Sequence, residues 1–326
     1  MKSVKVLLGI ALSAALLGWL LWRVDLGALG HQLGKTHWGW ALVTCGLSLL
    51  GLWARARRWY YLFPPGSHPP ALGRAVMIGY MGNNVLPLRA GEILRVYVVS
   101  RHWPLGFWLP LATLVVERIL DGLAVVLMLG SLALLMPVPA ALKWAALAIL
   151  AIDVVITGVL TAITVSPELC RGLVTRLAGR WPGLERRLGR VFEMFVRGLA
   201  GVRTPAHAVP IVGWSVLVWL LPALTAWTAM FAARIDLPFL AAWAVLAFVG
   251  LGVSLPSAPG YIGVFHTAAV FALGMFGVAG PEAFGYALLY HACGFIPITL
   301  AGWICLVREQ MSLGEAIREP APAVDG

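Results

Sequence analysis

Apolar runs long enough to cross a bilayer recur along almost the whole chain, and no other feature of the sequence constrains its fold as strongly. About 20 apolar residues span the roughly 30 Å of bilayer hydrocarbon, and only helices or closed barrels satisfy their backbone there. The runs lie at residues 4 to 22, 38 to 54, 107 to 136, 141 to 163, 208 to 231, 239 to 255, 261 to 278 and 283 to 307. Of the 326 residues, 12% are charged and 60% hydrophobic, whereas a soluble domain carries about 25% charge. The expected fold is an all-α integral membrane protein of about eight transmembrane helices. The first run follows Lys2 and Lys5 as a signal peptide would, but its length and the lack of a small-x-small cleavage site are those of a retained helix.

Between the second and third runs, residues 71 to 103 are apolar but broken by Pro87 and by charge. Such backbone is tolerated at membrane depth only where protein or a watery cavity satisfies it, so a re-entrant or broken element is expected. Orientation follows from the connection 164–207, where eight arginines, from Arg171 to Arg203, face Glu168, Glu185 and Glu193. The positive-inside rule makes that connection cytoplasmic and, counting spans, both termini as well. The chain thus reads as one membrane domain, 1–310, in the cytoplasmic (inner) membrane, with a short disordered tail, 311–326. Within the connection, Leu184, Leu188, Val191, Phe192 and Phe195 recur at helical spacing, the pattern of a helix lying in the interface. Packing on the bundle and contact with anionic lipid both fit it. The net charge of +10 points to anionic headgroups rather than nucleic acid.

The strings LPLRAG (86 to 91) and LPSAPG (255 to 260) share the pattern L-P-x-x-x-G, one in each half of the chain. The helices preceding them at matching offsets run in opposite directions, the arrangement of inverted-repeat transporters, whose paired Gly/Pro-interrupted segments mark the binding site. The first copy carries Asn83, Asn84, Arg89, Glu92 and Arg95. With Pro87 opening a helix, Arg89, Glu92 and Arg95 fall on one stripe. The second copy offers Ser254, Ser257, Gly260, Gly263 and His266, small residues that let backbone or an acyl chain come close.

An arginine at membrane depth costs at least about 2.5–3.5 kcal/mol, so it faces the protein interior and has partners. The run LVVERILDGLAVV supplies Glu117, Arg118 and Asp121, with Arg118 and Asp121 spaced to pair along a helix. One reading is a structural network in which Arg89 and Arg95 neutralise Glu117 and Asp121. Another is an anion receptor, since the guanidinium fork matches phosphate. Asp153 has no local partner and reads as a proton-coupling residue, a neutral packing acid or a cavity residue. No Walker loop, H-E-x-x-H or G-x-S-x-G occurs, so no catalytic signature, cofactor or metal is expected. The cysteines Cys45, Cys170, Cys293 and Cys305 lack paired or metal-like spacing. A lipid-modifying enzyme using Glu92, Glu117 or Asp121 as base, and an ion-coupled small-solute carrier, stand as alternatives.

The strings GNNVLPLRAGEILR (82 to 95), VVERILDG (115 to 122) and LPSAPGYIGVFH (255 to 266) resemble the lysylphosphatidylglycerol synthase transmembrane-region family, the flippase-like membrane domain of multiple-peptide-resistance proteins. The family pattern pairs an N-x-x-L-P-x-R-x-G-E-x-x-R segment with E-R-x-x-D and a later P-x-x-P-G-G-x-G-x-x-E. Asn84, Pro87, Arg89, Gly91, Glu92, Arg95, Glu117, Arg118, Asp121, Pro256, Pro259, Gly260 and Gly263 match it. Tyr261 stands where a second glycine is usual, and His266 where a glutamate is expected. The resemblance implies movement of a phospholipid or lipid-linked saccharide headgroup across the membrane, without the aminoacyl-transferase domain of the full synthases. A homo-oligomer stays open. The residues expected to touch substrate are Asn84, Arg89, Glu92, Arg95, Glu117, Arg118, Asp121, Ser257, Gly260 and His266.

Overall fold

The computed structural model describes residues 30, 34–103, 106–137, 140–166, 168, 171–172, 176, 182–254 and 258–311. The expected helix at 4 to 22, Ser257 and the tail from residue 312 on lie outside the described residues. Within them the protein is all helix: α1 (Trp38–Leu62), α2 (Leu72–Val85), α3 (Gly91–Arg101), α4 (Trp108–Leu135), α5 (Ala140–Val165), α6 (Pro182–Gly198), α7 (Ala200–Arg203), α8 (Pro205–Ala232), α9 (Phe239–Ser254), α10 (Val264–Gly274) and α11 (Gly280–Arg308). Short 3₁₀ turns, Pro87–Arg89 and Pro259–Tyr261, precede α3 and α10.

Among the described residues five helices, α1, α4, α5, α8 and α11, are long and apolar enough to cross a membrane. The runs at 239 to 255 and 261 to 278 form the shorter helices α9 and α10. They fold back on each other, with the Phe248 and Phe271 rings 5.5 Å apart. The re-entrant element expected at 71 to 103 is the corresponding hairpin, α2 with α3. Its helices meet through glycine: a Cβ on Gly82 would lie 2.8 Å from the Gly91 Cα, and one on Gly79 2.8 Å from the Arg95 Cβ. A hairpin and a pair of spans both return the chain to the side it came from, so replacing one by the other leaves the count of sides unchanged.

The chain therefore presents one pattern twice. A long helix, a hairpin and a long helix begin at Trp38, Leu72, Gly91 and Trp108, and the same series begins again at Pro205, Phe239, Val264 and Gly280. α1 and α8 pack antiparallel along their length. Trp40 meets Phe231 at 5.1 Å, Thr44 shares a 3.0 Å hydroxyl hydrogen bond with Thr228, Trp53 meets Trp214 at 5.2 Å, and Tyr61 meets His207 at 5.7 Å. Antiparallel packing of equivalent helices is what two halves of opposite orientation require.

α2 lies along α11, where Asn84 donates to the Thr299 hydroxyl at 2.8 Å and Arg74 pairs with Glu309. Gly302 of α11 makes this approach possible, because a Cβ there would run into the Met77 carbonyl oxygen at 2.6 Å and into Met81. Gly302→Val is expected to force the helices apart and to cost about 1–3 kcal/mol or more, read as a lowered thermal unfolding midpoint in detergent. An unchanged midpoint would contradict this packing.

α1 extends beyond the expected 38 to 54, through Arg55, Arg57 and Arg58 to Leu62. Arg58 is fully buried between the buried residues Leu52, Trp59 and Leu62, and the helix ends before Pro64, where Phe63 turns extended (ψ 159°). α5 is apolar on nearly every face, with Trp144, Leu147, Val154 and Val159 exposed as lipid-facing residues would be. α6 is the amphipathic helix expected in the long connection, and its end seats on the bundle. Gly198 lies against Ala112 and the Leu109 carbonyl, and Met194 and Phe195 join the core cluster around Trp59 and Leu109.

Candidate functional site

The two halves enclose a cavity of about 480 Å³, inside the range of small-molecule sites, about 300–1,000 Å³. Both hairpins reach it, the first with Asn84 and Arg89, the second with Tyr261 and Phe265. The long helices contribute Arg55, Arg118, Asp121, Asp153, Trp219 and His291. One set of polar groups thus converges from both repeats onto one space.

Behind one wall of this cavity lies an ion-pair network. Glu117, fully buried, is approached by Arg118 at 3.0 Å, Arg95 at 3.1 Å and Arg58 at 3.5 Å. Asp121, one helical turn on, meets Arg58 at 2.8 Å, Arg118 at 3.2 Å and Arg55 at 3.4 Å. Glu92 pairs with Arg95 at 2.8 Å and with Arg118 at 3.8 Å, and accepts a hydrogen bond from the Asn83 amide at 3.2 Å. Four arginines face three carboxylates, so one positive charge is left over. Arg55 and Arg118 line the space together with Glu92 and Asp121 and are balanced by them, so the extra charge lies behind the wall, where Arg58 and Arg95 face Glu117. Arg95 is further pinned over the Trp59 ring, 4.9 Å from its centroid. The Nε–H of Arg118 has no hydrogen-bond partner among the described residues.

Arg89 sits apart from the network. It is exposed to the cavity and forms no ion pair among the described residues, its contacts being the Tyr261 hydroxyl at 3.5 Å and the Tyr261 ring at 5.8 Å. Its backbone is left-handed, φ 56°. The stripe expected from Arg89 through Glu92 to Arg95 is broken for that reason: Pro87 opens a 3₁₀ turn, Arg89 leaves the helical path, and α3 begins at Gly91. Glu92 and Arg95 keep their spacing and pair, while Arg89 is swung toward the second hairpin. A Cβ on Gly91 would collide with the Gly79 carbonyl and the Asn83 backbone, so only glycine lets the first hairpin close this tightly.

The second hairpin explains both departures from the family pattern. Gly260, Tyr261 and Gly263 all have positive φ, 70°, 58° and 87°, which a second glycine at 261 would adopt without strain. Tyr261 accepts that strain and gains the contact with Arg89. Tyr261→Gly is expected to relieve about 1 kcal/mol of backbone strain, raising the unfolding midpoint while releasing Arg89; a lowered midpoint would mean the Tyr261 contact outweighs the strain. His266 stands at the third position of α10 and accepts a hydrogen bond from the Gly263 backbone N–H at 3.3 Å. A glutamate performs the same task in a capping box, so the histidine keeps the cap. Its ring is buried between Phe284 and His291, and it is His291, donating from Nε2 to the Gly260 carbonyl at 2.9 Å, that lines the cavity.

Of the residues expected to touch substrate, Asn84, Arg89, Glu92, Arg118 and Asp121 line the cavity. Gly260 is buried where the two hairpins meet, close to the Asn84 carbonyl. Arg95 and Glu117 are buried behind the wall. The network expected to join Arg89 and Arg95 to Glu117 and Asp121 uses Arg58 and Arg118 in place of Arg89. Arg55 and Arg58 lie just past the apolar run at 38 to 54, which their charge ends, yet the helix continues through them; the helical spacing of Leu52, Trp59 and Leu62 is the signal that they belong to the core. Among the described residues no group of three metal-ligating side chains occurs.

The chain is 27% identical over 286 residues to the curated protein named glycosyltransferase AglD of Haloferax volcanii. The aligned stretch covers 77% of this chain and 45% of that protein, so the chain spans about half the length of the relative it matches. No solved structure matches it. The family described as "Lysylphosphatidylglycerol synthase TM region" matches residues 6–302, and the chain belongs to that family.

Proposed function

We propose that this protein moves the anionic headgroup of a lipid or lipid-linked saccharide across the membrane, holding its phosphate at Arg89 and Arg118 while the acyl or prenyl tails stay in lipid. The observation that carries this reading is an unpaired guanidinium on the cavity wall. Arg89 has no carboxylate within ion-pairing distance among the described residues, whereas Arg55 and Arg118 on the same wall are paired with Asp121 and Glu92. A charge at membrane depth without a counterion is costly, and a phosphate matched to guanidinium forks supplies one. The carboxylates are poorly placed for catalysis, since each of Glu92, Glu117 and Asp121 is already held by two or more arginines. This favours a transporter over an enzyme.

The two hairpins touch at their turns, where Arg89 meets Tyr261, and each belongs to one half of the inverted pair. Rocking one half against the other would open the cavity to either side in turn. In this reading the connection 164–207 and both termini are cytoplasmic, and the basic face of α6 rests on anionic lipid.

Native mass spectrometry of the purified protein tests the receptor directly. A phosphate-bearing lipid is expected to remain bound to wild type and to be lost from Arg89→Ala. Retention of the same lipid by both proteins, or of uncharged lipids only, would sink the assignment of phosphate to Arg89.

A further inference from the structure

The phosphate reading leaves one charged group of the cavity unused. Asp153 lies on α5, whose other faces are apolar and exposed, and it lines the cavity from the side of α4 that carries Gly122. The residue is only 6% exposed, and among the described residues its Oδ2 has no hydrogen-bond partner and no arginine, lysine or histidine lies within ion-pairing distance. Its place is built rather than incidental. A Cβ on Gly122 would lie 2.7 Å from Oδ1 and 2.8 Å from the carboxyl carbon of Asp153, so the side chain enters the cavity only because residue 122 has none. The neighbouring cations are committed elsewhere: Arg55 and Arg118 both pair with Asp121.

The cavity is thus polarised: among the described residues Arg89 has no carboxylate partner and Asp153 no cationic one, while Arg55 and Arg118 are balanced by Asp121 and Glu92. Resting on the phosphate reading above, we propose that Asp153 receives a cationic group of the same headgroup, so that the site takes a zwitterionic headgroup, a phosphate carrying an ammonium. A hydroxyl from a sugar or glycerol would satisfy a lone pair of the carboxylate and leave its charge uncompensated. An ammonium supplies both the hydrogen bond and the countercharge. The ligand then neutralises both ends of the cavity at once, and neither end alone accounts for it.

The test compares two phospholipids with identical acyl chains and tail labels, phosphatidylethanolamine and phosphatidylglycerol, in vesicles holding wild type or Asp153→Asn. The asparagine is isosteric and removes an unpaired buried charge, so folding is retained, as a thermal unfolding scan will confirm. Wild type is expected to move the ethanolamine lipid faster. Asp153→Asn is expected to slow that lipid about tenfold or more, the weight of one charge-assisted hydrogen bond, and to leave the glycerol lipid unchanged or faster. Soluble phosphoethanolamine should likewise compete better than glycerol phosphate against wild type only. Equal loss of both lipids in the variant would assign Asp153 to the fold or to proton coupling and overturn the proposal. Movement of the glycerol lipid alone by wild type would overturn it while leaving the phosphate reading intact, and movement of neither lipid would overturn both.

Discussion

Glu117→Ala is expected to lower the stability of the folded protein by about 3–5 kcal/mol, measured as denaturant or thermal unfolding in detergent. The carboxylate is fully buried and faces three guanidinium groups, at 3.0, 3.1 and 3.5 Å. Removing it leaves Arg58 with Asp121 alone and Arg95 with Glu92 alone, two buried cations each short of half their countercharge. The effect should be strongly non-additive. Arg95→Met in the same background removes one of the stranded charges, so the double variant is expected to be more stable than Glu117→Ala by itself. If Glu117→Ala and Arg95→Met instead add independently, the pair is not the structural keystone described above. No comparable loss is expected at Asp153, a carboxylate without a cationic partner among the described residues.

Arg89→Ala is expected to have the opposite profile, with little change in stability and a large loss of headgroup affinity. The side chain is exposed to the cavity, and its hydrogen bond and ring contact among the described residues are both to Tyr261, so its removal should alter unfolding by about 0.5 kcal/mol or less. A hydrogen bond to a charged group contributes about 1.5–3 kcal/mol, roughly ten- to a hundredfold in binding. Arg89→Lys restores the charge without the fork and should recover only part of it. Competition by short-chain phospholipids in native mass spectrometry reads both numbers. A stability loss as large as that of Glu117→Ala would place Arg89 in the structural network after all.

The spans of this fold were legible because hydrocarbon imposes a length and an apolar composition on each helix. The observed α4, α5, α8 and α11 begin and end within a few residues of the runs that announced them. The first hairpin was legible as well, since Pro87 and the charges around it forbid an ordinary span. The second hairpin was not, because 239 to 278 contains no Asp, Glu, Lys or Arg to break its hydropathy. What sets the start of α10 is backbone conformation at Gly260, Tyr261 and Gly263. The candidate site was half visible. Arg89, Glu92, Arg118 and Asp121 were marked by charge in an apolar run, but a charge says nothing of its partner. Arg58 holds Asp121 from another helix 63 residues earlier in the chain, a pairing that only the packing of α1 on α4 creates. His266 carried a motif position and proved to be a cap, while His291, outside any motif, lines the cavity.

The central claim is that the arginine-lined cavity between the two halves carries a phosphate-bearing headgroup across the bilayer. Reconstitution of pure protein into vesicles with phospholipid labelled in one leaflet tests it most directly, with wild type and Arg89→Ala compared at equal insertion. The account predicts rapid loss of leaflet asymmetry with wild type and a rate near that of protein-free vesicles with the variant. Equal rates for the two proteins would contradict it.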